Sequence, residues 1–174
     1  MELWDLYDKD RNKTGRIHIR GETIPEGHYH LVVHVWIRNS QGKYLISQRS
    51  ANRPTFPLMW ETVGGSAVSG EDSLTAAIRE TREEVGICLS PEAGRIITTK
   101  VRSIINGKPF SDIMDVWLFQ YDGDVSLSDA TTDEVAQTKW MTRKEIEQLR
   151  ESGNLVENLY YFFDEVDIQQ GSTT

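Results

Sequence analysis

One cysteine among 174 residues, Cys88, excludes an intramolecular disulfide framework and a multi-cysteine zinc site. The unbroken apolar runs are only a few residues long, too short for any of them to cross a bilayer. The start, Met1-Glu2-Leu3-Trp4-Asp5, lacks the basic opening and greasy stretch of a secretory signal. There is no dense Lys/Arg block, and 27 acidic against 19 basic side chains give a net charge of −8, which argues against a nucleic-acid polymer as partner. Internal repeats, low-complexity tracts and Pro/Gly/Ser linkers are also missing. Together these absences point to a cytoplasmic chain with neither membrane nor polymer among its partners. What is there, 38% apolar residues with five Trp, six Tyr and five Phe, suffices for one core. A single domain over 1–168 is expected, with a polar tail over 169–174. The acid excess suits either solubility or metal-assisted handling of a small anion.

Short strands are expected over 2–7 and 16–20, around the turn Lys9-Asp10-Arg11-Asn12-Lys13-Thr14-Gly15. From His28 to Ile37 a longer strand places Leu31, Val33, Val35 and Ile37 on one face. The turn Asn39-Ser40-Gln41-Gly42 leads to a strand over 43–49, and another strand covers 60–64. The best helix is next. Ser69 and Asp72 read as its capping box, Leu74, Ile78, Thr81 and Val85 as its apolar stripe, and Gly86 as its stop. Strands near 95–105, 112–121 and 137–141 precede helices near 142–151 and 155–167. Strands linked by short turns, with few helices, give a mixed α+β sandwich and not a doubly wound sheet.

Opposite its apolar stripe the first helix carries Arg79-Glu80-Thr81-Arg82-Glu83-Glu84, with Glu80 beside both Glu83 and Glu84 at helical spacing. Such like charges repel by a few tenths of a kcal/mol each, about the size measured for i,i+4 pairs. A hard cation with oxygen ligands removes that repulsion, Mg2+ above all when phosphate oxygens complete its shell. A solvated acidic face is the alternative. The glycine pair Gly64-Gly65 before the helix lets backbone carbonyls come close to such an ion. Gly65, Glu71, Arg79, Glu80, Glu83, Glu84, Gly86 and Ile87 stand at the spacing Gly-x5-Glu-x7-Arg-Glu-x2-Glu-Glu-x-Gly-aliphatic. This resembles the Nudix box, the signature of the Nudix hydrolase superfamily.

The resemblance implies a Nudix fold, a mixed β-sandwich flanked by helices. It implies divalent-cation-dependent hydrolysis, with Mg2+ or Mn2+, of a diphosphate linkage in a nucleoside diphosphate derivative or related small molecule. Glu80, Glu83 and Glu84 with the carbonyl of Gly64 would hold the metal. Glu83 or Glu80 would also orient or deprotonate the attacking water, Arg79 would pair with a box glutamate, and Glu71 would orient it or touch the metal from outside. Two positions depart from the family's pattern. Thr81 stands where an aliphatic residue is usual, and Pro57-Leu58 replaces the Pro-Gly often found before the box tryptophan.

Outside the box, Glu134 in Asp133-Glu134-Val135 matches the loop where many family members place a further acid; a solvated loop acid is the alternative. His28, His30 and His34 share a strand face and are weighed as a metal site against packing or substrate contact. Arg49 and Arg53 are candidates to meet a phosphate, or else surface ion-pair partners. Trp60, Phe56 and Trp36 could stack on a base or pack in the core. Cys88 reads as a small core residue. The stretches 50–59 and 102–112 read as specificity loops, and 155–166 as closing the core or meeting a second subunit; monomer and homodimer both stay open.

The stretch from Leu3 to Trp36 resembles the Nudix branch related to isopentenyl diphosphate isomerase. That enzyme needs a cysteine just before its box, whereas Trp60-Glu61-Thr62-Val63-Gly64-Gly65 offers none. Hydrolysis is therefore the first expectation, with an isomerase-like enzyme or a non-catalytic nucleotide-binding domain as alternatives.

Overall fold

The computed structural model describes residues 1–105 and 107–168; the expected tail, 169–174, lies outside the described residues. In chain order the elements are β1 (Leu3–Tyr7), β2 (Lys13–Ile19), β3 (His30–Arg38), β4 (Tyr44–Arg49), β5 (Trp60–Glu61), β6 (Val63–Ser66), α1 (Ser73–Val85), β7 (Gly94–Ile105), β8 (Lys108–Gln120), β9 (Val135–Met141) and α2 (Arg143–Glu151). β1 and β2 form an antiparallel hairpin of their own.

The other seven strands make one mixed sheet in the order β5-β4-β3-β8-β7, with β6 added to β3 and β9 to β4. β3 runs parallel to β8 over its whole length. β3 and β4 meet in register only at Arg38↔Tyr44, next to their turn. Beyond that point they diverge, β3 taking β6 as its neighbour while β4 takes β5 and β9. This divergence gives the sheet its sandwich character and places β5 and β6 on different neighbours.

Both faces of β3 are covered, as the position of a central strand requires. Leu31, Val33, Val35 and Ile37 share one core with Ala76, Ala77 and Val85 of α1. Trp36, on the other face, joins Tyr44, Ile46, Leu155, Leu159, Phe162 and Phe163 in a second core. The C-terminal apolar residues therefore close the core of this chain.

Several expectations change. The N-cap of α1 is Asp72, which accepts Thr75 N–H at 2.8 Å, while Ser69 Oγ donates to Asp5. A capping box is present at α2 instead, between Thr142 and Glu145. The α1 interface is built from Ala76, Ala77 and Thr81, with Leu74 and Ile78 at its rim, so small side chains bring the helix close to the sheet. Thr81 is fully buried and its hydroxyl donates back to Ala77 O at 2.8 Å, which satisfies the departure from an aliphatic residue. The strand expected over 60–64 is split at Thr62, whose hydroxyl donates to Val35 O. The helix expected over 155–167 is only a 3-10 turn (Glu157–Leu159) and a π turn (Phe162–Val166). The stretch 102–112 is mostly the end of the β7–β8 hairpin. Cys88 is exposed and not a core residue. No described helix is long and apolar enough to cross a membrane.

Candidate active site

β6 presents its glycines in a defined way. Ala67 N–H donates to Leu31 O, so by alternation Gly64 and Ser66 face β3 as non-hydrogen-bonded residues with their carbonyls turned away from it. The Ser66 carbonyl accepts Arg79 Nη2 at 3.1 Å, which ties this edge of β6 to α1. A Cβ on Gly65 would land on the Glu80 carboxylate, so a side chain there would have to displace that carboxylate.

Arg79 organises the helix. Its Nε and Nη2 donate to the two carboxylate oxygens of Glu71 at 2.7 and 2.9 Å, and its Nη1 reaches Glu80 at 2.9 Å and Glu83 at 3.0 Å. Glu71 holds its own place by accepting Val68 N–H at 3.0 Å. Among the described residues no three His, Cys, Asp or Glu side chains stand as a cluster able to hold a cation, and Glu80 and Glu83 both turn to Arg79 Nη1.

Glu84 lies in different surroundings. It is buried, and its Oε2 has no hydrogen-bond partner among the described residues. Burial, with the charges of Glu61, Glu80 and Glu134 nearby, holds its pKa well above the usual carboxylate range. Burial also pushes Glu80 up to about 7; Arg79 opposes this, and Glu83 and Glu134 add to it. Glu61 is raised by burial against the pull of Arg49. Four carboxylates, Glu61, Glu80, Glu84 and Glu134, thus act on one another. The orphaned Oε2 of Glu84 is a hard oxygen donor without a partner among the described residues, the kind of atom a divalent cation would satisfy.

The loop carrying Glu134 is fastened to the end of α1. Thr131 N–H, Thr132 N–H and Thr132 Oγ1 all donate to Glu83 O, at 3.0, 3.2 and 3.2 Å. Glu134 pairs with Arg53 Nη1 at 2.5 Å, and Arg53 Nε is buried without a partner among the described residues. Arg49 is spent elsewhere: it grips Glu61 and donates to Thr55 O and Oγ1. Trp60 is half-buried against the second core, its backbone bonded to Asn154 and Val156. Trp36 is fully buried, and Phe56 is exposed at a loop tip.

The three histidines are not brought together. His28 lies before β3, its Nδ1 near Glu26 O; His30 stacks on Trp4 at 4.1 Å between ring centroids; His34 is buried with Nδ1 2.7 Å from Tyr161 Oη. Glu61 was not singled out by sequence. Its signal is an acid three positions before the glycine pair, paired with Ser47 two strand positions from Arg49.

The profile of the NUDIX domain family matches residues 28–164. The chain belongs to the Nudix family. An uncharacterized Nudix hydrolase of Listeria monocytogenes is 37% identical over 177 residues, covering 100% of this chain and 98% of its own. The crystal structure of DR0079 from Deinococcus radiodurans superposes with a TM-score of 0.68 at 25% identity, over 89% of this chain and 92% of that one. An isopentenyl-diphosphate Delta-isomerase of Citrobacter koseri is 30% identical over 83 residues, 47% of this chain and 46% of its own. The chain is thus a Nudix hydrolase, an enzyme of the pyrophosphohydrolase kind, with isomerases among its distant relatives.

Proposed function

We propose that this Nudix hydrolase cleaves the phosphoanhydride bond of a nucleoside diphosphate derivative or related small diphosphate, with Mg2+ or Mn2+ as cofactor. The observation that carries the reading is the orphaned, buried Oε2 of Glu84, with Glu61, Glu80 and Glu134 within electrostatic reach. Glu80, Glu83 and Glu84 with the Gly64 carbonyl would hold the ion, which when bound polarises the diphosphate oxygens and acidifies water.

The protein's own groups do the rest. Arg79 fixes the rotamers of Glu80 and Glu83 through its shared Nη1 and is itself fixed by Glu71. Glu80 and Glu83, held side by side by Arg79 Nη1, are the groups positioned to take a proton from the attacking water. Glu134 is a further acid at the same place, held by Arg53 until a phosphate competes for that guanidinium. Trp60 offers a partly exposed aromatic surface for the remainder of the substrate. Isomerisation lacks its thiol, since Val63 and Gly64 replace any cysteine at the box.

A phosphate-release assay over nucleotides, sugar nucleotides and isoprenoid diphosphates, with and without Mg2+, tests the reading. Mg2+-dependent release from a member of the panel is the expected result. Double-bond migration without phosphate release, or tight binding without turnover, would overturn it.

A further inference from the structure

The β3 face that looks away from α1 holds a short chain of hydrogen bonds. Trp36 Nε1, which can only donate, gives its proton to Tyr161 Oη at 3.0 Å. Tyr161 Oη stands 2.7 Å from His34 Nδ1. The single hydroxyl proton of Tyr161 has no other acceptor among the described residues, so it is donated to Nδ1. The imidazole must then carry its own proton on Nε2. Among the described residues Nε2 has no hydrogen-bond partner.

The free edge of the ring abuts Gly64. His34 and Gly64 are opposite one another in a non-hydrogen-bonded pair, the kind in which side chains approach most closely. A Cβ on Gly64 would strike the Val33 carbonyl oxygen at 2.8 Å and would stand 3.1 Å from His34 Cδ2, the atom bonded to Nε2. Gly64 lies within a strand and not in the left-handed region, so glycine is needed there for space and not for conformation. Lys100 and Arg102 of β7 lie on the same side, Lys100 Nζ 4.9 Å from the centroid of the Tyr161 ring, and each is paired with an acid, Lys100 with Glu165 at 2.6 Å and Arg102 with both oxygens of Asp112. A fixed N–H without a partner is matched by an oxygen acceptor, and most strongly by an anionic one.

We propose that His34 is a further substrate-binding residue, donating Nε2–H across the bare Cα of Gly64 to a phosphoryl oxygen of the bound diphosphate, with Tyr161 and Trp36 as its positioning residues. The proposal rests on the diphosphate reading given above. It assigns one histidine of the β3 face to substrate.

The test uses 15N-histidine-labelled full-length protein and α,β-methylene-ADP with Mg2+ as probe. Long-range 1H–15N spectra of the free protein should show His34 neutral with its proton on Nε2, and that proton should move downfield as the probe saturates. Calorimetry should show His34→Met, which keeps the bulk but loses the donor, binding the probe about 10–100-fold more weakly. His34→Gln, whose amide nitrogen can stand in for Nε2, should recover most of that loss, a result that a packing role would not give. Tyr161→Phe should leave His34 as a mixture of tautomers. A proton on Nδ1, an Nε2 signal unmoved at calorimetric saturation, or His34→Met binding like wild type would overturn the proposal alone. Failure of wild type to bind the probe would strike the diphosphate reading and the proposal with it.

Discussion

Arg49 holds both carboxylate oxygens of Glu61, at 2.7 and 2.8 Å, while its other nitrogens close on Thr55. The pair fastens the 50–59 loop to the two-residue strand that leads into the glycine pair. Arg49 is 7% exposed, so an Arg49→Met change would strand the Glu61 carboxylate in a poorly solvated place. Removing one partner of a buried pair costs about 3–5 kcal/mol. Urea unfolding should show a loss of that order, and a loss confined to substrate affinity would show that Arg49 serves the ligand instead.

Glu84→Gln should make the cation-free protein more stable, because it replaces an unpartnered buried acid by a neutral amide. The same change should abolish the rise in Tm that Mg2+ gives wild type. Differential scanning calorimetry in EDTA and in Mg2+ reads both effects. A lower Tm in EDTA would show that the Glu84 carboxylate contributes to folding by itself.

Glu83→Gln should lower turnover by about 10²–10⁴-fold, the range for loss of a positioned proton acceptor, with Tm hardly changed. Phosphate release under saturating Mg2+ measures it, and undiminished turnover would remove Glu83 from the chemistry.

Glu80 supplies the pH prediction. Burial raises its folded-state pKa to about 7, above the unfolded value of 4.5, so between those limits the folded protein binds more protons than the unfolded chain. Stability from this group is complete below about pH 4.5 and is lost as pH rises to about 7. In EDTA, the Tm of wild type should therefore fall relative to Glu80→Gln across that window and run parallel above it. A constant difference between the two would mean that Glu80 titrates normally.

Leu58 occupies the left-handed region at φ 62°, and Phe56 does so at 49°. The family's usual glycine is absent at Leu58, yet the backbone keeps the shape that glycine favours. Leu58 is half exposed, so Leu58→Gly gives up little buried surface and relieves strain of about 1–2 kcal/mol. The variant should unfold at higher denaturant, and a lower midpoint would show that the Leu58 side chain anchors the loop.

The box was readable because its chemistry is local: helical spacing alone brings Glu80, Glu83 and Glu84 within a turn. The alternation of β3 and the glycine stop of α1 were readable for the same reason. What sequence missed depends on distant partners. Ser69 and Asp72 are equally able to cap a helix, and the choice falls to Asp72 because Asp5 on β1 takes the Ser69 hydroxyl. Residues 155–167 carry helical apolar spacing, but Asn154 and Val156 bond to the Trp60 backbone, which draws out the chain where a helix would start. Arg49 looked free for phosphate because its pairing with Glu61 spans a loop. Tyr161 gave no signal, since its partners His34 and Trp36 lie more than a hundred positions away.

Cys88, two residues beyond the Gly86 cap and open to solvent, is the sole sulfhydryl in the sequence. A maleimide fluorophore would attach at one defined point next to α1, without any cysteine having to be engineered in or out. Quenching or polarisation of that dye would report ligand arrival directly, even for compounds that are never turned over.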